Sequence, residues 1–165
     1  AVADIRSMPY SNAFFDYHRE ALRQTLQAAG IRYVWLGEEL GPRSKVDGHY
    51  DAAGQVQFDR LAHSGLYRSG ITRVLQGLEQ GFHVALMCAE KKPEVCHRGL
   101  LVGYHLMRDD YLEVTHIDHE GKHRTQGELE STLAGEHEGD LFASQADRIE
   151  LAMRAQWQSF AWRRR

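Results

Sequence analysis

Within eleven residues, CAEKKPEVCHR at positions 88–98, the chain carries two cysteines, a histidine, an arginine and two lysines. Such residues could bind a metal, cycle between thiol and disulfide, or hold an anion. A zinc site takes four nitrogen, sulfur or oxygen ligands, often from tight pairs such as C-x2-C. Cys88, Cys96 and His97 could supply three, but helical neighbours such as Cys96 and His97 point about 100° apart. A Cys88–Cys96 disulfide needs Cα atoms within about 7 Å, which the intervening loop reaches by curling back. The anion reading uses more of the residues. Pro93 fits the first turn of a helix, where its missing N–H is not needed, with Glu94 beside it. Free N–H groups at a helix start carry partial positive charge and bind phosphates and carboxylates. Lys91, Lys92 and Arg98 add donors, and a thiol there, Cys96, becomes more acidic and a candidate nucleophile. His97 and Glu90 can carry protons.

The elements around this stretch place it. HVALM (83–87) is a strand and residues 93–108 are a helix, so the cluster sits where one hands over to the other. Upstream, AVADIR (1–6) and IRYVWL (31–36) read as strands rich in β-branched and apolar residues. Between them FFDYHREALRQTLQAAGI has Leu22, Leu26 and Ala29 at helical spacing and Gly30 as a stop. A second helix follows Tyr67 (Ile71, Val74, Leu75, Leu78) and ends at Gly81. YLEVTHI (111–117) gives a fourth strand. The His-rich HIDHEGKH (116–123) reads as a solvated turn, residues 124–134 take no clear pattern, and 145–162 is amphipathic along Ile149, Met153, Trp157 and Phe160.

Strands alternating with helices predict right-handed βαβ units and a mostly parallel sheet. The expected architecture is a single-domain α/β three-layer sandwich over 1–144, with a long loop at 37–67 and a C-terminal helical arm and basic tail over 145–165. In such sheets ligands bind beyond the carboxyl ends of the strands. Asp4 and Arg6, residues 36–43, and Cys88 to Arg98 are therefore expected to converge there, with the 37–67 loop closing over a ligand. Bland roles compete: Asp4 can bridge Arg6, Arg98 can pair with Glu90 or Asp4, and Cys88 and Cys96 can be small core residues.

Composition bounds the partners. A formal net charge of -3 over 165 residues argues against whole-surface attraction to nucleic acid or anionic lipid. Two cysteines make no secreted disulfide framework, and no apolar run reaches the length of a membrane span, so a cytoplasmic setting is expected. The chain opens on Ala1 rather than Met, from which residues upstream are expected.

DIRSMPYSN, then FDYHREALRQTLQAAGIRYVWLGEELG, then GQVQFDRLAHSGLYRSGITRVLQGLEQGFHVALMCAEKKPEVCHRGLLVG closely resembles domain of unknown function family 488, over roughly residues 2–117. The resemblance implies a bacterial or archaeal cytoplasmic α/β protein and carries no settled activity or cofactor. It implies a functional set of Asp4, Arg6, Pro9 and Ser11 from Asp-x-Arg-x-x-Pro-x-Ser. From Cys-Ala-Glu-Lys-x-Pro-x-x-Cys-His-Arg it adds Cys88, Glu90, Lys91, Cys96, His97 and Arg98. The family's usual opening strand, with a Thr-Ile-Gly-His-Ser-like motif, is not in this sequence, and Gly99 stands where the family places Ser.

The leading expectation is an enzyme-like or ligand-binding cleft for a small anionic or phosphate-bearing ligand. Cys96, His97, Asp4 and Glu90 would carry the chemistry, with Arg6, Ser11, Lys91 and Arg98 holding the anion. The alternatives are a nucleic-acid module stacking bases on Tyr10, Phe14, Tyr33, Trp35 or Tyr50, and a cysteine-based redox or metal-binding protein. The 145–162 arm could dock within the chain or pair with a second copy.

Overall fold

The computed structural model describes residues 1–11, 13–136 and 143–164. Asn12 of the first turn and Arg165 of the basic tail lie outside the described residues. The chain forms two compact units, Ala1–Asp47 with Asp59–Ala89, and Gly48–Phe58 with Glu90–Arg165.

The first unit is built on three short parallel strands: β1 (Val2–Asp4), β2 (Tyr33–Trp35) and β3 (Ala85–Met87), in the order β2-β1-β3. Val2 aligns with Tyr33 on one side and Ala85 on the other, so the three strands end level at Asp4, Trp35 and Met87. Parallel strands need long crossovers, and the helices expected from the apolar spacing supply them. A 3-10 turn (Phe15–Tyr17) and α1 (Arg19–Ala28) link β1 to β2. The short α2 (Phe58–Ala62) and long α3 (Gly65–Glu79) precede β3. Gly30 and Gly81 follow α1 and α3 with φ of 73° and 82°, the left-handed stop expected at both places. Ser64 caps α3 by accepting the Tyr67 amide at 3.2 Å. Ala3, Ile5, Leu36, Leu40, Tyr67, Ile71 and Val74 are buried, whereas no residue of α1 is.

The second unit departs from expectation in several places. The helix expected over 93–108 is three pieces: a 3-10 turn (Pro93–Val95), a π-helical stretch (Arg98–Gly103) and α4 (Tyr104–Asp109). Cys96 between the first two is extended, with φ −130° and ψ 140°. The fourth strand, β4 (Thr115–Ile117), does not extend the parallel sheet; it pairs antiparallel with β5 (His123–Thr125). The turn between them is too short for a parallel crossover. Asp118 closes that turn by accepting the amides of Glu120 and Lys122 at 2.8 and 2.9 Å. Helix α5 (Gln126–Glu136) occupies the stretch that carried no clear pattern. It is announced by Thr125-x-x-Glu128, whose side chains exchange bonds with each other's backbone N–H at 3.2 and 2.8 Å.

Helix α6 (Gln145–Phe160) is the amphipathic arm, opened by a Ser144–Asp147 capping box. Met153 and Trp157 are buried while Phe160 is exposed. The arm belongs to the second unit, where α5 and α6 pack together. The Trp157 ring meets Tyr104 and Phe58 edge-on, with centroids 5.3 and 5.6 Å apart.

The expected 37–67 loop contains a 3-10 turn (Asp47–His49), α2 and the start of α3. Its middle is not a free cover. Val56 N–H donates to the Trp162 carbonyl at 2.9 Å, and Arg164 N–H to Gly54 at 2.9 Å. Gln55, 5% exposed, donates through Nε2 to the carbonyls of Gln158 and Ala161, closing the end of α6.

Candidate functional site

The sequence-predicted residues form two clusters, each built within one unit. In the first unit the carboxyl end of β1 puts Asp4 and Arg6 two residues apart, on the same face of an extended segment. Both are buried, at 0% and 8% exposure. The Asp4 carboxylate accepts the Arg6 guanidinium at both oxygens, from Nε at 2.9 Å and Nη2 at 2.7 Å. It also accepts the Arg6 backbone N–H at 3.1 Å and the Tyr33 hydroxyl at 2.7 Å. Arg6 Nη2 donates further to the Tyr17 carbonyl at 3.0 Å, and its own carbonyl accepts the Trp35 indole N–H at 3.0 Å.

The electrostatics follow from this packing. The Arg6 pKa is raised, chiefly by its bond to Asp4. Burial, and then the bond to Asp4, hold the Tyr33 phenol protonated far above its ordinary range. An arginine paired through Nε and Nη2 braces the turn between the first strand and residues 7–17. Ser11, expected to bind an anion, accepts the Phe14 amide at 3.2 Å. Pro9 is buried, and its carbonyl accepts the Arg19 amide at 3.0 Å, seating α1. Cys88 lies just past β3, half-buried, and forms no disulfide among the described residues.

In the second unit Glu90, Cys96, His97 and Arg98 come together. The 3-10 turn ends when Cys96 N–H bonds to the Pro93 carbonyl at 3.2 Å, turning the buried Cys96 side chain back toward the preceding loop. Its thiol donates to Glu90 Oε2 at 3.1 Å, and Sγ accepts the Arg98 backbone N–H at 3.3 Å. The buried His97 has Nδ1 3.8 Å from Sγ and 4.0 Å from Glu90 Oε2. Arg98 clamps the loop, donating to the carbonyls of Glu90 at 2.9 Å and Lys91 at 3.0 Å.

The helix-start cradle is thus occupied from within: the Arg98 N–H by sulfur, and those of Gly99 and Leu100 by the Cys96 carbonyl at 3.1 and 2.9 Å. Lys91 is exposed. Gly99 is required by close approach, since a Cβ there would lie 2.5 Å from the Pro93 carbonyl oxygen. Glu90 and Cys96 offer an oxygen and a sulfur donor, two of the four a structural zinc takes.

Gln126, Glu130 and Arg108 were not singled out from the sequence, and His116, read there as part of a solvated turn, is buried. Gln126, fully buried, donates from Nε2 to the Gly99 carbonyl at 3.2 Å and to Glu130 Oε1 at 2.9 Å. Its Oε1 is 2.7 Å from Nε2 of His116, which is 5% exposed. Arg108 donates to Glu130 at 3.3 Å. Burial raises the Glu130 pKa and lowers that of His116, the latter helped by Arg98 and Arg124 and opposed by Gln126 and Glu94. The alternation of YLEVTHI turns His116 inward, a signal the polar run after it hid. Nothing in the sequence marks Gln126.

The chain belongs to the family described as Domain of unknown function DUF488, whose model matches residues 1–105. The match takes in both motifs and ends before the 117 expected from the sequence. No curated protein and no solved structure matches the chain. Among the described residues no helix is long and apolar enough to cross a membrane.

Proposed function

For this DUF488 member, we propose thiol-based chemistry centred on Cys96, with Glu90 as its proton acceptor. The observation that carries the reading is the thiol's double engagement, by a carboxylate at 3.1 Å and a backbone N–H at 3.3 Å. Transfer of the Sγ proton to Glu90 leaves a thiolate, the form in which cysteine is nucleophilic. The Arg98 N–H then supports the sulfur's negative charge, and His97 Nδ1 lies 3.8 Å from it as a second proton carrier. The π-helical stretch that begins at Arg98 fits this reading, because such stretches recur at functional sites. The substrate is an anionic electrophile: it approaches past exposed Glu90, whose side chain is 43% exposed, and meets the mobile charge of Lys91. Arg98 secures the loop, and Asp4 and Arg6 brace their own unit.

The test is alkylation of Cys96 by iodoacetamide in a Cys88→Ser background, across pH 5–9. Cys96 is expected to react in the folded chain, and Glu90→Gln to slow it about a hundredfold, the lower end of the ordinary range for general acid–base assistance. No reaction in the folded chain, or a rate indifferent to Glu90→Gln, overturns the proposal.

A second reading, single-stranded nucleic acid, is favoured by the exposure of Tyr10 and Phe14, 65% each. Of the other expected stacking faces, Tyr33 binds Asp4, Trp35 lies under the Arg19 guanidinium at 4.5 Å, and Tyr50 is buried.

A further inference from the structure

The second unit holds a cleft of about 460 Å³ between the 92–94 turn and the β4–β5 hairpin. That volume is within the range of small-ligand sites. The hairpin wall lies beyond residue 105, outside the family match. His116 and Pro93 are the buried members of the lining, and His116 is the polar one.

The bonds of Gln126 set the state of that ring. Its Nε2 is committed as donor to Gly99 and Glu130, so its Oε1 accepts, and His116 Nε2 carries the hydrogen. The ring edge left to the cleft is Nδ1, an acceptor. Burial lowers the His116 pKa, which keeps Nδ1 unprotonated near neutrality.

The acids of the lining are spoken for. Asp118 accepts two backbone N–H groups of its turn, Glu128 accepts the Thr125 amide and hydroxyl, and Glu94 faces Arg124 at 3.9 Å. Lys92 and His123 line the cleft, and their side chains make no hydrogen bond or ion pair among the described residues. Lys122 pairs with Glu120, outside the lining, at 2.6 Å. What the cleft offers a ligand is therefore cationic donors on its walls and one buried acceptor.

We propose that this cleft binds a protonated oxyanion of the phosphate class, the P–OH donating to His116 Nδ1 and the remaining oxygens accepting from Lys92 and the hairpin cations. The donor–acceptor pattern is selective. Phosphate near pH 6 carries a proton to give, whereas sulfate carries none and would set an oxygen lone pair against that of Nδ1. Free phosphate and a phosphomonoester share the chemistry, since a monoester is about half protonated near pH 6. The inference does not depend on the Cys96 thiol.

The test uses the 15N-labelled full chain at pH 6.5, titrated with inorganic phosphate, glycerol phosphate and sodium sulfate while backbone amides are followed by NMR. Phosphate is expected to move the amides of residues 116–124 saturably, with sulfate about tenfold weaker or more, a factor worth one ordinary hydrogen bond. Tighter binding of glycerol phosphate than of phosphate assigns the site to esters, and the reverse to the free ion. Lys92→Ala, an exposed change, is expected to weaken phosphate at least about threefold, and His116→Leu to remove the preference over sulfate. Equal affinity for phosphate and sulfate, or hairpin amides that stay still at millimolar phosphate, overturns the proposal even if His116→Leu does not fold.

Discussion

Replacing Asp4 by asparagine tests whether the Asp-x-Arg motif is a brace. The change is nearly isosteric, so it leaves no cavity. It removes the charge that balances Arg6 and turns one accepting oxygen into a donor. The carboxylate accepts four bonds in the native structure, three of them from Arg6. With Arg6 8% exposed, the guanidinium cannot recover solvation without opening the turn. Removing one partner of a buried ion pair typically costs about 3–5 kcal/mol, a large part of the roughly 5–15 kcal/mol that holds a domain folded. At about 2–4 °C per kcal/mol for a chain of this size, the midpoint of thermal unfolding is expected to drop by roughly 6–20 °C. Urea unfolding followed by far-UV circular dichroism gives the free energy. The double variant Asp4→Asn, Arg6→Met, which removes the orphaned charge, is expected to recover at least half of the loss. A single-variant loss below about 1 kcal/mol, or a double variant worse than the single, refutes the reasoning and returns both residues to the list of ligand-binding candidates.

Gly99→Ala sets a methyl 2.5 Å from the Pro93 carbonyl. It is expected to destabilise the chain by about 1–3 kcal/mol, read as a lower urea midpoint, with Gly127→Ala, where an added Cβ meets nothing, as the control. His116 gives stability a pH dependence of known sign. Its folded pKa is lowered from 6.5, so below pH 6.5 the unfolded chain takes up the proton first. Its contribution to stability is complete above that pH and is lost as pH falls through the lower folded value. Glu130, raised from 4.5 by burial, acts in the opposite sense, adding stability as pH falls through its folded pKa toward 4.5. Unfolding free energies in steps from pH 8 to pH 4 are expected to show a falling limb below pH 6.5, and His116→Gln to flatten that limb.

Much of the chain's local structure is set by its own residues. Alternation, helical spacing and stops at Gly30 and Gly81 mark the three parallel strands and the helices between them, because these signals act over a few residues. Thr125-x-x-Glu128 marks the start of α5 by the same kind of local bond. The two motifs mark the site clusters because each is short enough to fold on itself: Asp4 onto Arg6 across two residues, Cys96 onto Glu90 across a tight turn. Tertiary structure decided the rest. β4 pairs antiparallel with β5 because its partner arrives after a hairpin turn, and the middle of the 37–67 stretch is fastened by backbone bonds to residues 162–164. Whether an arginine greets a ligand or braces a loop depends on which carbonyls and carboxylates lie within 3 Å, and sequence spacing does not encode that. His116, Gln126 and Glu130 are joined only through a buried network whose members gain their meaning from burial, and burial is a property of the packed chain.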